Sequence, residues 1–118
     1  AAENLYRLEA DYGVFTCEKN DTKGTFQWDY PNGWACLQYI AIIGFDRYKY
    51  SDIAQRLAKK YLTLVEKVFD ETGNLWEKYN VEDGSLNVSN EYEMPAMMGW
   101  SAGVYLAAEN YLINKAEK

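Results

Sequence analysis

Hydrophobic positions divide the chain into three helical stretches separated by polar, aromatic-rich connections. Trp34-Ala35-Cys36-Leu37-Gln38-Tyr39-Ile40-Ala41-Ile42-Ile43-Gly44 is apolar nearly all round, the pattern of a helix buried on several sides, and Pro31 suits its first turn. Beyond Ser51, a residue type that caps helices, Ile53, Leu57, Tyr61, Leu64, Val65 and Val68 form one stripe, while Lys59, Lys60, Glu66 and Lys67 mostly face elsewhere. Gly73 ends that helix, which makes Asp70-Glu71-Thr72-Gly73-Asn74 a helix end; the segment lacks the alternating oxygen ligands of a calcium loop. The short connection between these two helices favours an antiparallel hairpin. A last helix is predicted from about Pro95 to Asn114, with Met98, Ala102, Tyr105, Leu106 and Leu112 among its apolar positions, and Met94, Met97 and Met98 read as helix-packing residues.

Between these stretches the period is lost. Residues 3–12 place Leu5, Leu8 and Tyr12 at helical spacing, with Gly13 where a left-handed C-terminal residue would sit, so a short helix is expected there. Residues 14–30 read as a long loop, with Asn20-Asp21 and Gly24 as turn formers and Phe26 as an anchor. Leu75-Trp76-Glu77-Lys78-Tyr79-Asn80-Val81 reads as an irregular functional loop, closed by the turn Glu82-Asp83-Gly84-Ser85. The expected fold is all-α, a single domain over residues 1–118 built from antiparallel helical hairpins with long loops at one end.

Composition narrows the function. A net charge of −6 lacks the basic field that nucleic acid or an anionic membrane surface needs, and no run of about twenty apolar residues spans a bilayer. The chain reads as soluble, and its compartment, cytoplasmic or secreted and periplasmic, stays open. With no histidine, Ser-His-Asp and Cys-His catalysis and His-bearing zinc sites are excluded within the chain; no metal or other cofactor is expected. Cys17 and Cys36 read as buried small hydrophobes, with a disulfide left open. Asn20-Asp21-Thr22 and Asn87-Val88-Ser89 fit glycosylation triplets, a pattern common by chance. Aromatic residues make up 16% of the chain, eleven Tyr and four Trp among them, which exceeds what a small core uses and points to a cleft or interface.

That excess concentrates in Gln27-Trp28-Asp29-Tyr30-Pro31-Asn32-Gly33-Trp34, where flat ring faces suit the C–H side of a pyranose and Gln27, Asp29 and Asn32 supply donors and acceptors for its hydroxyls. Two readings stand for Trp28 and Trp34, a sugar surface or packing at a loop-to-helix corner, and two for Asp29, sugar contact or a tie within its own turn. Cleaving a glycosidic bond usually takes two carboxyl groups, so acids set among aromatics are the catalytic candidates. These are Asp29, and Glu91 and Glu93 in Asn90-Glu91-Tyr92-Glu93-Met94-Pro95. Glu91 also reads as a solvated acid near a helix start.

The block Gln27 to Ala35 resembles a signature of the trehalases, inverting α,α-trehalose glucohydrolases. Glu77-Lys78-Tyr79-Asn80-Val81 is similar to a second family block, and Glu91-Tyr92 followed by Gly99-Trp100-Ser101-Ala102-Gly103-Val104 resembles a third, with the family's spacing from Glu to Trp. The resemblance implies that Glu91 is the general base, that Gln27, Trp28, Asp29, Asn32, Trp34, Tyr92 and Trp100 belong to the sugar site, and that the fold is part of an α/α toroid of six hairpins. It also implies that the general acid and the substrate-binding arginines lie in upstream blocks this sequence does not contain, so the chain is expected to be a C-terminal segment, inactive alone, that pairs with an upstream part or self-associates. The sequence departs from the family in Ser85-Leu86-Asn87-Val88-Ser89-Asn90, where a glycine-rich run is usual, in Glu93, Pro95, Met97 and Met98, which stand for Pro, Gln, Gly and Phe, and in Cys36 and Ala102, which stand for Pro and Asn. Alternatives to a trehalose hydrolase are an α-glycosidase of different specificity on the same fold and a non-catalytic helical module that binds sugar or protein.

Overall fold

The computed structural model describes residues 1–19 and 26–118. The turn and glycosylation triplet expected at Asn20-Asp21-Thr22, and the turn former Gly24, lie outside the described residues. Three helices carry the molecule: α1 (Ala35–Arg47), α2 (Ser51–Thr72) and α3 (Gly99–Ala116). Two short antiparallel pairs are added, β1 (Glu9–Ala10) with β2 (Gly13–Val14) and β3 (Asn32–Trp34) with β4 (Lys78–Asn80). The fold is therefore mostly helical, with two small sheets that the helical reading did not contain.

The α2 stripe behaves as its periodicity dictates. Leu57, Tyr61, Leu64, Val65 and Val68 are buried, joined by Ala54 and Ala58, while Ile53 lies at the margin. Gly73 adopts the left-handed conformation at φ 74° and its N–H closes on the Phe69 carbonyl, a C-terminal turn that costs a β-carbon residue more than glycine. Ser51 does not cap; it is the first helical residue, Tyr50 holds the cap position, and the Ser51 hydroxyl donates to Asp46 at the end of α1. That bond braces the three-residue corner Tyr48–Tyr50 between α1 and α2.

Helix α1 departs from expectation in two ways. It begins at Ala35, because Pro31 precedes β3 and Asn32–Trp34 pairs with β4 in the register Asn32↔Asn80, Gly33↔Tyr79, Trp34↔Lys78. It is also buried along only one side, through Ala35, Gln38 and Ile42, while Tyr39 and Ile40 are exposed. The buried polar member is fully used: Gln38 accepts the Val14 N–H at 2.9 Å and donates to the Val14 carbonyl at 2.8 Å, so its amide continues the backbone pairing of β2.

The expected helix at residues 3–12 is shortened to a 3₁₀ helix over Ala2–Arg7, after which the chain turns into the β1–β2 pair. Tertiary anchors override the weak helical period: Arg56 and Lys60 of α2 clasp the Glu9 carboxylate, Lys60 donates to the Ala10 carbonyl, and the Tyr12 N–H donates to the Val81 carbonyl. Gly13 lies in β2 and terminates no helix. Helix α3 starts at Gly99, four residues later than Pro95, because Ala96 bridges to Trp76, the Met97 N–H donates to the Leu75 carbonyl, and Met97 takes a positive φ of 60°. Met94, Met97 and Met98 consequently precede the helix instead of packing it. Ser101, Val104 and Ala108 form its buried edge. Both cysteines are free and half-buried, not fully enclosed.

Helices α1 and α3 start at the same end of the molecule. Trp34 meets Trp100 there, and at the opposite end Asp46 receives the Tyr111 hydroxyl and the Lys115 ammonium. The loops before α1 and α3, and β4 after α2, converge at the first of these ends.

Candidate active site

The loop Gln27–Pro31 reaches that end as a turn, with the Asp29 N–H donating to Phe26 and the Asn32 N–H to Asp29. Its centre is a ring stack. Trp28 lies on Trp34 with centroids 3.8 Å apart and planes 2° from parallel, and Trp100 meets Trp34 edge-on at 5.5 Å. The two tryptophans divide the labour: Trp28 is 42% exposed and Trp34 only 2%. Trp34 is thus the backing of a platform whose accessible ring is Trp28. Its indole N–H donates to the Gln27 carbonyl at 2.9 Å, which fixes the loop to the end of β3, just before α1.

Asn32 is also wholly buried and acts as a tie. Its amide nitrogen donates to the Gln27 and Ser89 carbonyls, 3.0 Å each, joining the tryptophan loop to the segment that carries Glu91. The side-chain oxygens of Asn32 and Gln27 are buried and accept no hydrogen bond among the described residues. Asp29 is half-buried, and its carboxylate makes no hydrogen bond among the described residues, so the tie within its own turn is made by backbone alone. Glu91 is exposed, with one carboxylate oxygen 3.5 Å from the Gln27 N–H, at the outer limit of a hydrogen bond.

The segment expected to be an irregular loop supplies the floor. Lys78–Asn80 is strand β4, and Glu77 and Lys78 are a buried ion pair at 2.9 Å, their side chains 4% and 0% exposed. The Lys78 ammonium lies 5.0 Å from the Trp34 ring centre and 5.4 Å from that of Tyr92. Tyr92 donates its hydroxyl to the other Glu77 oxygen, and the Trp100 indole N–H donates to the Glu77 carbonyl at 3.2 Å. Hydrogen bonding to the Glu77 carboxylate, with burial, holds the Tyr92 phenol above its ordinary ionisation range. Sequence alone assigned Glu77 and Lys78 no role beyond a place in a functional loop; the flanking Trp76 and Tyr79 were the one signal of their enclosure.

Chemically, the arrangement sets an exposed carboxylate, Glu91, beside an aromatic platform, with half-buried Asp29 next to Trp28 and exposed Glu93 two residues beyond Glu91. Glu77 is saturated by Lys78 and Tyr92 and is closed off from solvent, whereas Glu91 is open to accept a proton. Among the described residues no group of three or more His, Cys, Asp or Glu side chains is placed to hold a metal ion, and no helix is long and apolar enough to cross a membrane. The predicted residues Gln27, Trp28, Asn32, Trp34, Glu91, Tyr92 and Trp100 are linked to one another, directly or through Glu77 and Lys78, and Asp29 lies in the same turn as Trp28.

Comparison with known proteins places this geometry. The chain is 41% identical over 81 residues to a putative periplasmic trehalase of Salmonella typhi, a match covering 68% of the chain and 14% of that protein. It is 38% identical over 81 residues to the periplasmic trehalase of Pseudomonas aeruginosa, covering 68% of the chain and 15% of that protein. The solved structure of neutral trehalase from Saccharomyces cerevisiae superposes with a TM-score of 0.76 at 30% identity, over 93% of this chain and 19% of that one. The chain thus spans a small fraction of the length of the proteins it matches. A family model, Trehalase, matches residues 2–112, and the chain belongs to the trehalase family.

Proposed function

We propose that the chain is the C-terminal part of a trehalase-like glycoside hydrolase, with Glu91 as the general base and Trp28 as a sugar platform. The observation that carries this reading is the placement of an accessible Glu91 carboxylate against the Gln27 backbone, next to the exposed ring of the Trp28–Trp34 stack. In an inverting reaction Glu91 takes a proton from water as that water attacks the anomeric carbon. The bond to the leaving oxygen breaks on the opposite face, and an acid about 6.5–9.5 Å away protonates it. That acid comes from a part of the enzyme outside this chain. Gln27 and Asn32 fit the reading through their buried side-chain oxygens, which accept no hydrogen bond among the described residues and can take hydroxyl donors directly or through water.

The exposed apolar side chains of Tyr39, Ile40, Leu106 and Ile113 support assembly with that remainder into an α/α toroid, since each leaves a helix face uncovered. The small share of each relative that the chain covers agrees with a segment of a larger catalytic unit.

The test is glucose release from trehalose by a fusion in which this chain replaces the matching segment of the P. aeruginosa enzyme. The fusion should be active, and Glu91→Gln within it should cost on the order of 10²–10⁴-fold in kcat, the usual worth of a positioned base. Activity unchanged in that variant would remove Glu91 from the mechanism. Trehalose binding by Trp28 fluorescence without any hydrolysis would favour a non-catalytic sugar-binding module, and hydrolysis of another α-glucoside in preference to trehalose would favour a different specificity.

A further inference from the structure

The segment bearing Glu91 is held unevenly. Asn87 and Ser89 lend their carbonyls to Asn80 and Asn32, and Ala96 and Met97 are tied to Trp76 and Leu75. Between them, no backbone-to-backbone hydrogen bond holds residues 90–95 among the described residues. Glu91 contributes only its 3.5 Å contact with Gln27, too long to fix a carboxylate. Among the described residues the remaining tie is Tyr92, whose hydroxyl donates to Glu77 with the Gln27 side chain beside it, and whose ring lies 5.4 Å from the Lys78 ammonium.

The anchor beneath it is costly for stability alone. A fully buried ammonium beside a nearly buried carboxylate is often matched or bettered by apolar residues of similar size. What the pair does that an apolar pair would not is offer a charged acceptor in a fixed place: Lys78 holds one Glu77 oxygen and leaves the other for Tyr92. The geometry points to Tyr92 as a positioning residue that sets Glu91 beside the Trp28 platform, with the buried Glu77–Lys78 pair as its anchor; this rests on the role proposed above for Glu91. Trp34 belongs to the same device, since Lys78 pairs with it across the β3–β4 register and lies over its ring while Trp28 stacks on it. One buried ion pair thereby locates both the carboxylate and the platform.

Hydrogen–deuterium exchange on the 118-residue chain tests this. Tyr92→Phe keeps the ring over Lys78 and removes only the hydroxyl. Exchange at Val88 and Met97, the hydrogen-bonded amides that flank residues 90–95, should then rise about tenfold to a hundredfold, the factor carried by a hydrogen bond to a charged group, while α2 and α3 stay within about twofold. Adding Glu77→Gln to Tyr92→Phe also strands the buried Lys78 ammonium and should speed exchange throughout the chain, but should speed those two amides little more than it speeds α2 and α3, because the hydroxyl that Glu77 anchored is already gone. In ¹³C-tyrosine NMR, Glu77→Gln alone should move the Tyr92 ionisation to lower pH, since it removes both the hydrogen bond and the negative charge that hold the phenol up. Unchanged exchange in Tyr92→Phe, or loosening spread evenly through the helices, overturns the proposal. Flat exchange together with Glu91-dependent hydrolysis would refute the positioning alone; faster exchange together with hydrolysis indifferent to Glu91→Gln would refute the hydrolase reading alone.

Discussion

Replacing Gly33 by alanine puts one methyl group where three parts of the structure meet. A β-carbon there would stand 2.3 Å from Val81 Cγ1, 3.0 Å from the Val14 carbonyl oxygen and 3.1 Å from Gln38 Nε2. The backbone of Gly33 is not in the left-handed region, so the restriction is space alone. Carbon atoms settle about 3.5–4.0 Å apart, hence Val81, fully buried in the core, must retreat by more than an ångström. Overpacking of this kind costs about 1–3 kcal/mol, and loosening the Val14–Gln38 pairing adds about 0.5–1.5 kcal/mol, giving roughly 1.5–4.5 kcal/mol in all. Urea unfolding followed by tryptophan fluorescence and far-ultraviolet circular dichroism measures it. Val81→Ala alone should cost about 2 kcal/mol through lost methyl groups and a cavity. The double variant Gly33→Ala, Val81→Ala should then cost at least about 1 kcal/mol less than the sum, since the second change removes the nearest clash. The reasoning is refuted if Gly33→Ala lies within about 0.5 kcal/mol of the parent, or if the two costs simply add.

Glu77→Leu strands the Lys78 ammonium inside the protein and should cost about 3–5 kcal/mol, most of it recovered in Glu77→Leu, Lys78→Met, as paired urea titrations will show. Acid should destabilise the chain as pH falls from the ordinary carboxylate range towards 2. Arg56, with Lys60, lowers Glu9 to about 2, and Lys115, with Ser51 and Tyr111, lowers Asp46 to about 2, so the stability both groups contribute is present above their unfolded values and lost as they protonate. Arg56→Met should flatten the slope of stability against pH below about 4.5, the ordinary value of the Glu9 carboxyl, and leave it unchanged near neutrality. Trp28→Ala should cost only about 1 kcal/mol, because the ring is 42% exposed, yet abolish any fluorescence response to trehalose.

Helix α2 was legible because a long stripe and a terminal glycine agree, and its burial pattern follows the sequence closely. The three blocks were marked by their resemblance to trehalase sequences, and the structure gathers Gln27–Trp34, Glu77-Lys78 and Glu91-Tyr92 with Trp100 at one end. The N-terminal hairpin was not, since strands of two residues show no alternation and their pairing is decided by Arg56, Lys60 and Val81 far along the chain. Lys78-Tyr79-Asn80 likewise carries no apolar period, although all three are buried. Gln38 misled in the opposite sense: an amide in an apolar helix is its deepest polar contact, while Ile40 beside it is 63% exposed. The Glu77–Lys78 pair shows the common cause, because burial of a charge is set by partners that sequence spacing does not reveal.

If the accessible Glu91 beside the Trp28 platform is the base of a glycosidic hydrolysis, glucose release from trehalose by the fused enzyme and by its Glu91→Gln variant will separate the two. Release by the parent and its loss by on the order of 10²–10⁴-fold in the Glu91→Gln fusion, with trehalose still quenching or enhancing Trp28 fluorescence, is the predicted result. Equal turnover by the two fusions would contradict it.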